Sequence, residues 1–319
     1  MKRQFKAEEP LHPHPQDCLA EMLEYRARET DNELKKQLLK ELVLQYSAAE
    51  RELVRLNREL SAKQLRLDQD LRAAAGIQRT LLPGKLPAME QLDVAWKFIP
   101  CELIGGDIFN LLPLDDDHFA LYMIDVSGHG VPSALVTVSV SQALHLDGGY
   151  VLKKRGSVPP WQQIVSPADL LAALDEQYPM ERFDMFFTIV YGIVDAKAGT
   201  FYYAKAGHPP PILLHPNDDL ELLEAAGPVI GMGGFAFEEK RHTIRRGDKV
   251  IFYTDGIIEY EDRQGAFYGK ERFLQLLQEV KDQPVSAILD RVIESLFEFG
   301  ENNPPQDDIS LLGFEYRGP

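Results

Sequence analysis

Between Gln16 and Ala75 the chain contains neither proline nor glycine. The run is rich in Leu, Glu, Lys, Arg, Gln and Ala, which all favour helix, and it holds none of the residues that break one. It predicts one long helix. From Leu39 a heptad register fits, with Leu39, Tyr46, Leu53, Leu60, Leu67 and Ala74 at a, and Leu42, Ala49, Leu56, Lys63, Asp70 and Ile77 at d. Ten of these twelve positions are apolar, the exceptions being Lys63 and Asp70. A sustained heptad predicts a coiled coil, here a parallel homodimer through residues 39–77, weakened just before the segment that follows. The alternative is an amphipathic helix packed on its own domain, but so long a helix has few other ways to cover its stripe.

Punctuation sets the remaining boundaries. Pro10, Pro13 and Pro15 mark residues 1–15 as a flexible lead-in, and Gly76 with Pro83-Gly84 closes a helical segment at 16–82. Residues 83–319 have another texture. Strands are predicted at Leu92–Ile99, Ile108–Leu114, Phe119–Val126, Phe186–Val194, Gly199–Ala206, Ile212–His215, Glu238–Ile244, Lys249–Thr254 and Ile309–Tyr316. Helices are predicted at Pro132–Leu146, Pro167–Gln177, Lys270–Val280 and Val285–Phe299. Residues 148–160, with Lys153-Lys154-Arg155, read as a loop. Many hairpin-linked strands with helices in separate blocks point to an α+β fold with antiparallel sheets, not a doubly wound parallel one.

Composition excludes several functions. A formal net charge of −16 argues against a binder of nucleic-acid phosphates. The two cysteines, Cys18 and Cys101, allow no disulfide framework, CxxC pair or zinc knuckle, which suits a reducing compartment. No apolar run is long enough for a secretory signal or a bilayer span, so no membrane association is expected and the cytoplasm is the simplest location.

The chemistry concentrates in acids at strand ends. Asp125 closes an apolar run and opens Asp125-Val126-Ser127-Gly128-His129-Gly130. Asp107 ends Gly105-Gly106-Asp107, Asp255 lies in Thr254-Asp255-Gly256, and Asp307-Asp308 precede the last strand. One such Asp is commonly a turn or cap residue. Four together, brought to one edge by antiparallel pairing, would repel one another unless cations neutralised them. Oxygen-only ligands select hard ions such as Mg²⁺ or Mn²⁺. Two ions can acidify a shared water and aim it at a phosphoryl group. Asp115-Asp116-Asp117, between two strands, reads instead as a hairpin turn.

These motifs, with Ile77-Gln78, Leu81-Leu82-Pro83, Ala206-Gly207-His208-Pro209-Pro210 and Tyr253-Thr254-Asp255-Gly256-Ile257, stand in the order found in a known family. Residues from about 76 to 316 resemble the bacterial serine/threonine phosphatases of the sporulation-protein-E and sigma-factor-regulation type, within the metal-dependent protein phosphatase superfamily. The resemblance implies a four-layer αββα sandwich and two Mn²⁺ or Mg²⁺ ions. By motif, Asp107 would serve one or both metals, Asp125 would bridge them and the Val126 carbonyl would ligate one. Asp255 and Asp307 would hold the second metal, and Asp308, at a position where relatives carry Asp or Asn, would join the metal set. The nucleophile would be the bridging water. The substrate would be a phosphorylated STAS-domain anti-anti-sigma protein in a partner-switching pathway, and an upstream regulator would act on the N-terminal helix.

Two positions depart from the family pattern. Asn110 stands where relatives often carry a further Asp, and His129 replaces a frequent Lys. Asn110 would then weaken metal binding, and His129 would be a turn residue before a proton carrier. His208 reads as structural rather than catalytic. Rival functions are a signalling scaffold that binds through the coiled coil, which loss of the metal acids would favour, and a hydrolase of small phosphoesters.

Overall fold

The computed structural model describes residues 22–23, 33–84, 90–145, 153–155, 162–217 and 219–319. The lead-in at 1–15, Cys18 and most of the 148–160 segment lie outside them. Contacts divide the chain into two compact units, Met1–Gln69 and Asp70–Pro319.

In the first unit lies most of helix α1, Glu33–Arg79. Here Leu42, Tyr46, Leu53, Leu56 and Leu60 are all exposed. Among the described residues, most of the heptad stripe is thus uncovered. Salt bridges from Arg55 to Glu52 and Glu59 run along the exposed helix surface at i,i−3 and i,i+4, where solvent screens them.

The second unit holds the last turns of α1 and the elements β1 (Leu92–Ile99), β2 (Asp107–Pro113), β3 (His118–Val126), α2 (Val131–Ala143), β4 (Lys153–Arg155), β5 (Gln162–Ile164), α3 (Pro167–Gln177) and α4 (Met180–Phe183). These are followed by β6 (Phe187–Asp195), β7 (Thr200–Ala206), β8 (Ile212–Leu214), β9 (Glu221–Leu222), β10 (Glu239–Thr243) and β11 (Lys249–Tyr253). A 3₁₀ turn at Asp255–Ile257, α5 (Lys270–Val280), α6 (Val285–Phe299) and β12 (Ile309–Tyr316) complete it. One five-stranded sheet has the order β1-β12-β11-β8-β9, and the other β10-β7-β6-β3-β2. All pairings within both are antiparallel. Helix α6 packs on β1 and β12, while α2 lies over β2 and β3 and α3 over β6 and β7. This is the expected αββα sandwich.

Period-2 alternation builds its core. On β11 and β12, Val250, Phe252, Leu312 and Phe314 join the core between the sheets, while Ile251, Tyr253, Ile309 and Leu311 join a second core beneath α5 and α6. Phe201 of β7 meets Phe252 and Phe314 across the sandwich, with ring centroids 6.1 and 5.9 Å apart. Buried rings of this kind each contribute about 1.5–3 kcal/mol from area alone.

Several boundaries differ from expectation. Lys153–Arg155 is a strand paired with Gln162–Ile164 rather than loop. Helix α2 starts at Val131, with Gly130 before it at φ 83°, and ends at Ala143, not Leu146. The elements β9, α4 and the 3₁₀ turn span four residues or fewer, too short for a periodic signal. The Asp115 hairpin is a turn, as predicted. The Asp115 carboxylate accepts the N–H groups of Asp117 and His118 at 3.1 and 2.8 Å.

The final turns of α1 bury a face other than the heptad stripe. Leu71 and Ala75 pack with Ile104 and Ala134, and Gln78 is buried beside them, whereas Ile77 stays exposed. The i, i+4, i+7 spacing of Leu71, Ala75 and Gln78 makes that face continuous.

Candidate active site

The antiparallel register of β2 and β3 sets Asp107 directly opposite Asp125. Both side chains therefore lie on the same sheet face. Phe109 shares that face and packs on Trp96 and Phe98 of the facing sheet, with ring centroids at 5.7 and 6.3 Å. The two acids thus point between the sheets. From the other side, Thr254 just beyond β11 and Ser310 in β12 donate hydroxyl hydrogen bonds to Asp107 Oδ2 at 2.9 and 2.5 Å. Asp255 follows Thr254 directly, and Asp307 and Asp308 precede β12. Four strand ends from two sheets meet at one place.

Glycines bring the main chain close enough. A Cβ on Gly105 would sit 2.0 Å from Asp308 Oδ2, one on Gly256 2.1 Å from the Asp308 carbonyl, and one on Gly106 2.8 Å from the Val126 carbonyl. None of the three has a positive φ. Their requirement is close approach, not a left-handed turn conformation. Gly128 and Gly130 are the turn glycines, at φ 82° and 83°.

Asp308 is a main-chain clamp. Its Oδ1 accepts the Cys101 N–H at 2.9 Å and its Oδ2 the Asp107 N–H at 3.2 Å. Gln78 completes the loop's support: its Nε2 donates to the Gly105 carbonyl at 2.7 Å, and its Oε1 accepts the Gly105 N–H at 3.1 Å.

The acids raise one another's pKa. Burial pushes Asp107 well above the usual carboxylate range, and Asp125 and Asp308 add to the shift, outweighing the Ser310 and Thr254 hydrogen bonds. Asp125 is pushed up to about 7, first by burial and then by Asp255, Asp307, Asp308 and Glu259. Asp255 is raised by burial, Asp307 and Glu259. Asp307 is raised by burial and Asp308, against its hydrogen bond from the Asp308 N–H and the pull of His129. The residues therefore fit divalent cations: the donors are oxygens, they are mutually repulsive, and they run from buried Asp107 through half-buried Asp125 and Asp255 to exposed Asp307.

Other sequence candidates stand elsewhere. Asn110 lies three residues from Asp107, on the opposite face of β2. There its Nδ2 donates to the Leu81 carbonyl at 3.0 Å and its Oδ1 accepts the Leu111 N–H at 2.8 Å. His129 is exposed at the rim, 3.1 Å from Glu102. His208 is fully buried against the Thr188 hydroxyl at 2.7 Å, and burial pushes its pKa down to about 3. Burial, with Asp308 nearby, pushes the Cys101 thiol up to about 12, so it holds no thiolate nucleophile near neutral pH. Sequence reading gave Thr254, Ser310 and Gln78 no role. Gln78 and Thr254 entered only as parts of motifs, and what their side chains hold emerges once strand alternation and the buried helix face are known.

The family described as Stage II sporulation protein E (SpoIIE) matches residues 115–317, more than half of the chain. The chain belongs to the SpoIIE family. Among curated relatives, phosphoserine phosphatase RsbU of Bacillus subtilis is 24% identical over 275 residues, covering 85% of this chain and 76% of RsbU. Protein IcfG of Synechocystis is 25% identical over 259 residues, 76% of this chain but only 41% of IcfG. Among solved structures, the SiaA-PP2C domain of Pseudomonas aeruginosa matches with a TM-score of 0.65 at 22% identity, over 80% of this chain and 99% of that one. That likeness establishes the sandwich fold. The SpoIIE match begins after Asp107, so the pairing of Asp107 with Asp125 is a contribution of the geometry.

Proposed function

We propose that this SpoIIE-family chain is a metal-dependent protein serine/threonine phosphatase. The observation that carries the reading is the meeting of Asp107, Asp125, Asp255 and Asp307 between the ends of two sheets. Membership of the family and likeness to a phosphoserine phosphatase support it.

In this reading Asp107, Asp125, Asp255, Asp307 and the Val126 carbonyl hold two Mn²⁺ or Mg²⁺ ions, while Asp308 holds the loop that carries Asp107. When bound, such ions lower the pKa of water and neutralise charge on a phosphoryl group. The protein's own part is to keep the carboxylates fixed. Thr254 and Ser310 orient Asp107, the 105–106 and 256 glycines set the main-chain spacing, and Asp125 gives up its proton as cations arrive. No side chain acts as a covalent nucleophile.

The substrate we propose is a phosphorylated STAS-domain anti-anti-sigma protein in a partner-switching pathway. The uncovered stripe of α1 supports a homodimer through residues 39–77, and the contact between Gln78 and Gly105 supports control of the site from that helix by an upstream partner. Among the described residues no helix is long and apolar enough to cross a membrane. Phosphate release from a phosphorylated STAS protein with manganese, compared among wild type, Asp125→Ala and Asp255→Ala, tests the mechanism. Equal rates in all three would reject it. For the helix, removal of residues 1–60 that left a monomer with unchanged manganese-dependent activity would reject control through dimerisation.

A further inference from the structure

A second cluster of ligating side chains lies at the opposite, open edge of the sandwich. His215 follows β8, Glu221 lies on β9 and His242 on β10. One donor atom from each falls within 4.8 Å of the other two. The two imidazole rings are 6.3 Å apart, and His242 Nε2 lies 3.8 Å from Glu221 Oε2. The residues are far apart in sequence and come from both sheets, since β9 ends one sheet and β10 ends the other.

The chemistry of this set differs from that of the carboxylate site. Two imidazoles and one carboxylate suit zinc, whereas oxygen-only donors suit magnesium or manganese. A tetrahedral zinc with bonds of about 2.0–2.1 Å sets its ligand atoms about 3.4 Å apart, within reach of small rotamer adjustments here. His215 also has the support expected of a ligand. Its Nδ1 lies 3.0 Å from Oδ1 of buried Asp248, whose Oδ2 accepts the Arg245 N–H at 2.7 Å. Asp248 thereby orients the ring and leaves Nε2 as its ligating nitrogen, the carboxylate–histidine–metal arrangement. His215 and His242 are half-buried and Glu221 is exposed, so an ion has an entry path and room for a water as fourth ligand.

We propose that His215, Glu221 and His242 form a zinc site that clips the two sheets together at their open edges. Edge strands expose unpaired main-chain groups and are the places where a sandwich frays. Strand β9 has only two residues and β10 only five, so each depends on outside support. The site is independent of the phosphatase reading and survives its failure.

The test uses the full chain, stripped of metal and then equilibrated with Zn²⁺ under a large excess of Mg²⁺ that occupies the carboxylate site. Wild type is expected to retain one zinc per chain and to melt at a higher temperature with zinc than without. His242→Ala, at a half-buried edge position, should weaken zinc binding by more than the roughly 10–100-fold that loss of an outer-shell partner costs, and lose the thermal shift. Glu221→Gln, which preserves shape, should weaken it too, while Asp125→Ala should retain the zinc. Equal zinc content and equal thermal shift in wild type and His242→Ala would overturn the proposal, as would loss of the zinc in Asp125→Ala.

Discussion

The side-chain amide of Gln78 pairs with both the N–H and the carbonyl of Gly105, closing a two-bond link between the end of α1 and the loop that carries Asp107. Gln78 is 6% exposed, so both bonds are made away from water, where their loss costs most. Replacing Gln78 with Ala leaves two main-chain groups unpaired and should destabilise the chain by about 1–3 kcal/mol. It should also raise the manganese concentration needed for half-maximal phosphate release by about 10-fold or more, which a metal titration of activity would measure.

The mutual repulsion at the carboxylate site makes a signed prediction for the metal-free protein. Asp125 titrates near 7 in the fold and near 3.9 in an unfolded chain. A folded value raised this way gives stability that is fully present below the unfolded value and is lost as pH rises through about 7. Asp125→Asn removes the charge, so above neutral pH it should stabilise the metal-free protein, by on the order of 1–3 kcal/mol. Below about pH 4 the two proteins should match. Thermal melts in a chelator across this range check the sign.

Two glycines with opposite surroundings form a matched pair. A methyl group on Gly256 would meet the Asp308 carbonyl at 2.1 Å, and main chain cannot give way cheaply. Gly256→Ala should cost about 3 kcal/mol or more and abolish activity. Gly76, inside α1, has nothing within 4 Å of the same added atom. Gly76→Ala should raise stability by about 0.5–1 kcal/mol, as denaturant midpoints will show.

His208 predicts an opposite acid response. An unfolded histidine takes up its proton near 6.5, whereas burial holds His208 neutral until about 3. Between those values acid favours the unfolded chain, at up to about 1.36 kcal/mol for each pH unit. His208→Asn should therefore flatten the fall in stability from about pH 6.5 downward. Subtracting the variant's urea midpoints from those of wild type isolates this effect from the carboxylates, which act in the other direction.

Much of this was legible in the residues. Asp107, Asp125 and Asp255 each combine an apolar run, an acid and a nearby glycine, and Asp307 stands just before an apolar run, local patterns that survive without coordinates. The sandwich followed from alternating runs and hairpin turns. Other parts depend on which way a strand faces. Ser310 and Asn110 are both polar residues in apolar strands, and only register separates the first, on Asp107, from the second, on Leu81. The heptad stripe of the helix and the face that its last turns bury are different sides of one cylinder. Leu71, Ala75 and Gln78 carry no heptad signal, yet they are the side that packs. His215, Glu221 and His242 share no spacing at all, since two sheets bring them together.

Asp308 is enclosed by Gly105 against its side chain and Gly256 against its carbonyl. The Gly256 contact is between main-chain atoms, so this spacing of the carboxylate floor does not change with rotamer. Substitutions can accumulate at the rim, as at exposed His129, without resizing the floor. That constraint falls on the main-chain spacing of the floor and leaves the exposed rim free of it.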